Sequence, residues 1–238
     1  MEQNERTRYV VREAKEEAPG ITTLFLTDAS GAVPSFNPGQ FINVFFPETN
    51  TPEGKAYSIS SPPEEDCAFS ITVRAIGEFS NRLCAMKPGD TIHASLPYGF
   101  FRPEYDDSDL VLLASGIGVT PFRSILLHAA RTNQKRRITL LHSVRTASDA
   151  LFRSEFETLK QSHPHLALSY FVTRENVPSV VGLARRMTAA DALNHVPSRR
   201  GSEFLICGSI PFTRDMWRAL RQEGVSEDSL YTEAFFSH

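Results

Sequence analysis

Five consecutive apolar residues, Leu110-Val111-Leu112-Leu113-Ala114, run directly into Ser115-Gly116-Ile117-Gly118, and this junction constrains the chain more than any other feature. A strand that is apolar at every position has no face for water, so it belongs in a parallel sheet covered on both sides by helices. The glycines mark the turn out of that strand, and a helical pattern follows from about Val119 to Thr132. Ile138–His142, Ala167–Val172 and Phe204–Cys207 repeat the strand signal. They alternate with helical patterns over Ala150–Gln161, Thr188–His195 and Pro211–Gln222. Such alternation predicts a doubly wound parallel sheet.

The residues upstream follow another rule. Tyr9–Ala14, Ile21–Thr27, Gln40–Phe46, Ala56–Ser60, Phe69–Ile76 and Thr91–Leu96 are short extended segments broken by turn residues, a spacing that predicts an antiparallel barrel. Asn37-Pro38-Gly39 and Lys87-Pro88-Gly89-Asp90 are turn signals ahead of new strands, and Phe79, Leu83 and Met86 predict one short helix over Glu78–Met86. The acidic stretch Glu104–Asp109 separates the two patterns. The expected organisation is a two-domain chain, with an antiparallel β-barrel over residues 1–103 followed by an α/β parallel-sheet domain over residues 109–238.

Composition removes several function classes. Three cysteines, Cys67, Cys84 and Cys207, occur without a CxxC pair, which excludes a disulfide framework and a four-thiolate metal site within this sequence; no metal centre is expected. Five apolar residues fall far short of the roughly 20 that span a bilayer, so no membrane span is expected. Met1–Arg8 is polar and lacks the apolar centre of a secretory signal, which leads to a cytoplasmic expectation. Charge is uneven: residues 1–108 hold 9 Lys and Arg against 16 Asp and Glu, whereas residues 109–238 hold 16 against 12. The second half therefore suits an anionic ligand. Its basic pairs, Arg136-Arg137, Arg185-Arg186 and Arg199-Arg200, are scattered with no nucleic-acid motif, so no nucleic-acid partner is expected.

Gly116-Ile117-Gly118-Val119-Thr120-Pro121 sits where the first parallel strand hands over to its helix. Glycines permit close backbone approach, and the helix start presents free N–H groups with a partial charge of roughly +0.5, which together favour a dinucleotide pyrophosphate. Pro121 stands where the usual fingerprint has a third glycine, and it suits the first helical turn. In the barrel half, Lys55-Ala56-Tyr57-Ser58 offers a cation, an aromatic face and a hydroxyl in alternation.

The second segment resembles the R-x-Y-S/T flavin signature of the ferredoxin-NADP reductase superfamily, with Lys55 in place of the arginine. Val73-Arg74-Ala75-Ile76-Gly77-Glu78-Phe79-Ser80 is similar to the family's glycine-and-serine turn at a helix start. Leu96-Pro97-Tyr98-Gly99-Phe100-Phe101 is similar to its G-P-x-G-x-F barrel exit, without the leading glycine. The Gly116 turn, Cys207-Gly208 after what reads as the last strand, and Glu233-Ala234-Phe235 complete six motifs in family order.

This resemblance implies roles. Lys55, Ala56, Tyr57 and Ser58 would bind FAD, with Tyr57 against the isoalloxazine and Ser58 at its N5 edge. Val73, Gly77, Phe79 and Ser80 would hold the flavin pyrophosphate side. Gly116, Gly118, Val119, Thr120 and Pro121 would take the nicotinamide dinucleotide. Cys207, Gly208 and Glu233 would flank the nicotinamide, and Phe235 would cover the flavin as a movable aromatic. Catalytic roles fall to Ser58, Cys207, Glu233 and Phe235. The extension Phe236-Ser237-His238 past that aromatic resembles bacterial members. Arg145 and Arg174 resemble phosphate-binding arginines of NADPH-using members, Ser143 would add a hydroxyl and Arg185 or Arg186 a third cation; an arginine at Arg145 also occurs in some NADH-using relatives, so Arg174 carries more of the discrimination, and NADPH is expected ahead of NADH. His142, His163 and His165 read as structural or exposed.

The implied activity is that of an FAD-dependent reductase taking a hydride from NADPH and passing single electrons to ferredoxin or flavodoxin, as a monomer. Arg82 and Lys87 are candidates for steering an acidic carrier. Two other readings stay open: an NADH-dependent reductase component of a multicomponent oxygenase, and a non-enzymatic flavin or nucleotide sensor. Lysine gives a point charge where arginine gives a planar fork, so Lys55 leaves FMN open as well.

Overall fold

The computed structural model describes residues 6–49, 51–104, 108–196, 198 and 201–235. The chain forms two compact units, one of the described residues up to Phe100 together with Arg123–His128, the other of Phe101–Phe122 with the described residues from Ala129 to Phe235.

In the first unit, strands β1 (Thr7–Ala18), β2 (Ile21–Asp28), β3 (Phe41–Phe45), β4 (Lys55–Ser58), β5 (Phe69–Arg74) and β6 (Thr91–Ala94) form one antiparallel sheet in the order β4-β3-β6-β1-β2-β5. Its two ends meet. Just past β4, Ile59 bridges Ile71 of β5 and the Ser60 N–H donates to the Ser70 carbonyl at 2.8 Å, so the expected barrel closes. Strand β1 runs further than its apolar pattern, through Lys15-Glu16-Glu17, because β2 pairs with it as far as Ala18. The hairpin between them is Pro19-Gly20, with Gly20 at φ 72, the signature of a type II turn. Tyr9, Val11, Leu24, Leu26, Ile42, Val44, Phe69, Ile71 and Ile92 alternate inward to build the core.

At the closing seam this core is polar. Thr23 and Thr72 share a hydroxyl hydrogen bond at 2.8 Å, Thr72 and Ser60 one at 3.0 Å, and Ser60 and Ser70 one at 2.9 Å. All four are buried, so each hydroxyl satisfies its neighbour where water is absent. Helix α1 (Glu78–Cys84) packs Phe79 and Leu83 onto the barrel.

The second unit is a five-stranded parallel sheet. Its strands are β7 (Asp109–Ser115), β8 (Ile138–Val144), β9 (Leu166–Val172), β10 (Ser202–Ser209) and β11 (Leu230–Phe235), in the order β11-β10-β7-β8-β9. Among the described residues its α-helices were not all foreseen in length: α2 (Thr120–Arg131) matches its pattern, α4 (Ala189–Leu193) is only the middle of its own, and α5 spans Ile210–Gln222. Helix α3 (Arg153–Ser162) starts three residues later than expected because Phe152 adopts φ 61, which no α-helix continues through. β10 is not the last strand, as the sequence suggested: β11 follows and pairs beside it, its mixed polar pattern Leu-Tyr-Thr-Glu-Ala-Phe hiding an edge position. Strand order reverses between β7 and β10, and in open α/β sheets ligands collect at the strand C-termini of such a switch point.

Candidate functional site

The residues singled out by sequence fall into two groups, one on each unit. On the barrel, Lys55 to Ser58 is β4, hydrogen-bonded to β3. Alternation puts Tyr57 on the core side, opposite Ile42, and Ser58 on the other face with exposed Ala56; Ser58 is nevertheless buried, while Lys55 and Tyr57 are half-buried. Tyr57 stacks on Phe79 of α1, ring centroids 6.3 Å apart and planes 20° apart, and burial pushes its phenol well above the ordinary range. The Lys55 ammonium lies 5.7 Å from the centre of the same Phe79 ring. β4 and the start of α1 are thus tied together by one aromatic. Gly77 caps α1, and the Ser80 hydroxyl accepts the N–H groups of Ile76 and Gly77 at 2.9 and 3.1 Å while donating to the Gly77 carbonyl. Ser80 therefore shapes the turn that Val73 leads into. Arg82 is bonded to Glu48 and lies 4.0 Å from the centre of the Phe46 ring, so its charge is balanced locally; Lys87 is exposed.

On the second unit the selected residues share the C-terminal edge of the parallel sheet. A single 3-10 turn, Gly116–Val119, joins β7 to α2. Gly118 lies so close to β10 that a Cβ there would sit 2.3 Å from the Cys207 carbonyl oxygen and 2.7 Å from the Gly208 Cα. Gly116, at φ 55, has open space where its Cβ would be. The turn is therefore backbone against backbone on one side and unobstructed on the other, beside the free N–H groups that start α2. Val119 and Thr120 are buried, and Thr120 donates its hydroxyl to the Ile117 carbonyl at 3.0 Å. Pro121 sits in the first turn of α2, where it breaks no hydrogen bond.

Cys207 is fully buried, pairs across the ladders with Glu233 of β11 and Ala114 of β7, and burial raises its thiol far above the usual range, with Glu233 adding to the effect. Gly208 pairs with Ala234 and Ser209 with Phe235, so Cys207, Glu233 and Phe235 lie on two adjacent strands. The extension Phe236-Ser237-His238 lies outside the described residues.

Ser143 of β8 pairs with Phe171 of β9 one step before the last pair, Val144 with Val172, and just past it the Arg174 N–H donates to the Arg145 carbonyl at 2.8 Å. Arg145 and Arg174 are exposed and adjacent. Arg185 is different: both its terminal nitrogens bond Asp191, at 2.7 and 2.5 Å. Asp191 is the neighbour of Arg185 that sequence reading missed. Its signal was a Thr188-x-x-Asp191 capping pattern. His142, read as structural, holds the carbonyl of Gly116 at 2.9 Å from its buried ring.

Among the described residues no group of His, Cys, Asp or Glu could hold a metal ion, and no helix is long and apolar enough to cross a membrane. The donor set, a cation and aromatic on β4 and backbone N–H groups with cations at the parallel-sheet edge, fits a flavin nucleotide and a nicotinamide dinucleotide.

Comparison with known proteins agrees. Residues 21–102 match the oxidoreductase FAD-binding domain and residues 112–218 the oxidoreductase NAD-binding domain. The chain belongs to the ferredoxin-NADP reductase-like family of FAD- and NAD-binding oxidoreductases. It is 28% identical over 95% of its length to the flavohemoprotein of Bordetella pertussis, of which it covers 59%. It is 29% identical over 95% of its length to the ferredoxin reductase component of the Mycolicibacterium smegmatis 3-ketosteroid-9-alpha-monooxygenase, of which it covers 65%. The chain thus spans less than two thirds of these curated relatives. Among solved structures, a ferredoxin NADP+ reductase from Neisseria gonorrhoeae with bound FAD and NADP superposes with a TM-score of 0.82 at 25% identity, over 98% of this chain and 100% of that one. The FAD/NAD-binding domain of nitric oxide dioxygenase from Vibrio cholerae gives 0.85 at 25% identity, over 96% and 98%.

Proposed function

We propose that this protein is an FAD-dependent reductase that takes a hydride from NADPH and delivers electrons one at a time to ferredoxin or flavodoxin. The observation that carries the cofactor choice is the pairing of Arg145 with Arg174 at the C-terminal sheet edge, two exposed guanidinium groups on backbones joined at 2.8 Å. Charge-assisted bonds to phosphate favour such a pair, and NADH offers it no 2′-phosphate. Likeness along both chains to the gonococcal reductase supports the carrier.

When bound, FAD accepts two electrons together and releases them singly. The chain's own residues do the rest. Lys55 neutralises a flavin phosphate, Tyr57 lends its ring face, and buried Ser58 presents a hydroxyl from β4. The start of α2 binds the dinucleotide pyrophosphate through backbone N–H groups. Cys207, held uncharged by burial, packs beside the nicotinamide without adding a charge. Phe235, at the end of β11 beside Ser209, would supply the movable aromatic ring.

The test is anaerobic. Purified protein is to be yellow, mass spectrometry is to identify the released flavin as FAD, and NADPH is to bleach it within seconds and much faster than NADH. Arg174→Ala is to raise the KM for NADPH about tenfold or more while leaving that for NADH nearly unchanged. Equal rates with both nucleotides, or a colourless protein that retains no flavin after reconstitution, overturns the proposal. A second reading, an NADH-using reductase component of an oxygenase, is favoured by the likeness to the Mycolicibacterium smegmatis component. Preference for NADH in the same assay selects it.

A further inference from the structure

Three arginines reach the C-terminal edge of the parallel sheet, yet they are not equivalent. Ser143 of β8 lies level with Phe171 of β9, and Leu183 bridges Phe171 in parallel on the far side, with the Leu183 N–H donating to the Tyr170 carbonyl and the Val172 N–H to the Leu183 carbonyl, both at 2.8 Å. The ends of β8 and β9 and the neighbouring bridge at Leu183 thus lead to Arg145, Arg174 and Arg185. The chain turns sharply at Ala184, where the Arg185 N–H donates to the Leu183 carbonyl at 2.8 Å, and the Arg185 guanidinium folds back to lie 5.2 Å from the centre of the Phe171 ring.

There it meets a carboxylate that is already fixed. Asp191, in the first turn of α4, accepts the Thr188 N–H and the Thr188 hydroxyl on Oδ2, both at 2.8 Å. Arg185 adds Nη1 to that same Oδ2 and Nη2 to Oδ1, a two-point pair, and spends a further Nη1 hydrogen on the Arg186 carbonyl at 3.0 Å. The Asp191 side chain is only 13% exposed whereas that of Arg185 is 48% exposed, so the carboxylate is the shielded half of the pair and the guanidinium reaches toward water.

We infer that Asp191 is a specificity-determining residue: by holding Arg185 in an internal ion pair it withdraws one of three edge arginines from the 2′-phosphate, leaving recognition to Arg145 and Arg174. A phosphate that approaches Arg185 meets a pair of net zero charge. To recruit the guanidinium it must displace both bonds to Asp191 and then tolerate a bare carboxylate nearby, which like-charge repulsion opposes. This inference rests on the reading of the edge as a nicotinamide dinucleotide site, and it differs from the sequence expectation that Arg185 itself binds phosphate.

The experiment measures binding rather than turnover, with the full chain and two probes: adenosine 2′,5′-bisphosphate and adenosine 5′-monophosphate, by titration calorimetry. D191N is expected to bind the bisphosphate about three- to tenfold more tightly than wild type, with the monophosphate unchanged, because one charge is removed from the pair and Arg185 is released. Adding R185A to D191N is expected to erase the gain. R185A alone is expected to weaken bisphosphate binding less than R174A does. D191S, which keeps a capping oxygen on α4, repeats the test if D191N melts early. Unchanged or weaker bisphosphate binding in D191N and D191S, a gain that survives R185A, or binding to neither wild type nor D191N overturns the inference. Failure of the NADPH proposal shows instead as a preference for NADH in wild-type flavin reduction, whatever the ratio between variants.

Discussion

Replacing Gly118 with alanine tests how the parallel sheet makes room for the turn between β7 and α2. The added methyl carbon would stand 2.3 Å from the Cys207 carbonyl oxygen, 2.6 Å from its carbon and 2.7 Å from the Gly208 Cα. All three are backbone atoms of β10, which pairs with β7 on one side and β11 on the other, so nothing can swing aside. Overpacking against such a wall costs about 3 kcal/mol, the upper end of the ordinary range. At roughly 2–4 °C per kcal/mol for a chain of this size, Gly118→Ala is to lower Tm by about 6–12 °C. Gly116, two residues away, supplies the control. Its Cβ would meet nothing within 4 Å, but φ is 55, so alanine there costs only the left-handed backbone term of about 1–2 kcal/mol, and asparagine less. Differential scanning calorimetry of Gly118→Ala, Gly116→Ala and Gly116→Asn is to give losses in that descending order. A Gly118→Ala protein as stable as Gly116→Asn would show that the turn is not pressed against β10, and the steric argument would fall.

Thr72 bonds two hydroxyls in the barrel seam and Thr23 one, so Thr72→Val is to cost about 1–3 kcal/mol in urea unfolding and more than Thr23→Val; the reverse order refutes the chain of hydroxyls. The Arg185 hydrogen bonds hold the Asp191 carboxyl down at about 2, below the ordinary carboxylate value, so its contribution to stability is complete above about pH 5 and fades as pH falls toward 2. The stability gap between wild type and Asp191→Asn is accordingly to shrink as the solution is acidified through that window, and a gap independent of pH there contradicts the pairing. Buried Cys207, its thiol pushed up, is to resist iodoacetamide in the native protein while exposed Cys67 is alkylated; peptide mapping that finds Cys207 modified first refutes its burial.

Periodicity exposed most of the architecture because each half buries its strands in its own way. Leu110–Ala114 is apolar throughout since helices cover both faces, and the barrel strands alternate since one face is core. What stayed hidden depends on neighbours distant in sequence. β11 carries Glu233 between Thr232 and Ala234, too polar to announce a strand, and it exists because β10 offers it a free ladder. The start of α3 was misplaced because only the backbone of Phe152 records the break. The glycine turn was legible as a place of close backbone approach, which Gly118 makes against β10. Arg185 was legible as a cation but not as a paired one: Asp191 reads locally as a helix cap, and nothing in the sequence says that its second oxygen faces back across six residues.

Position at a sheet margin has its own price for motion. Among the described strands β11 is zipped along one side only, so the amides of Thr232 and Glu233 are the ones expected to lose protium to heavy water through small fluctuations, long before those of β7 surrender theirs in a global event. Phe235, carried at the end of that margin, pairs with β10 alone, so it can shift while β7, β8 and β10 keep their ladders.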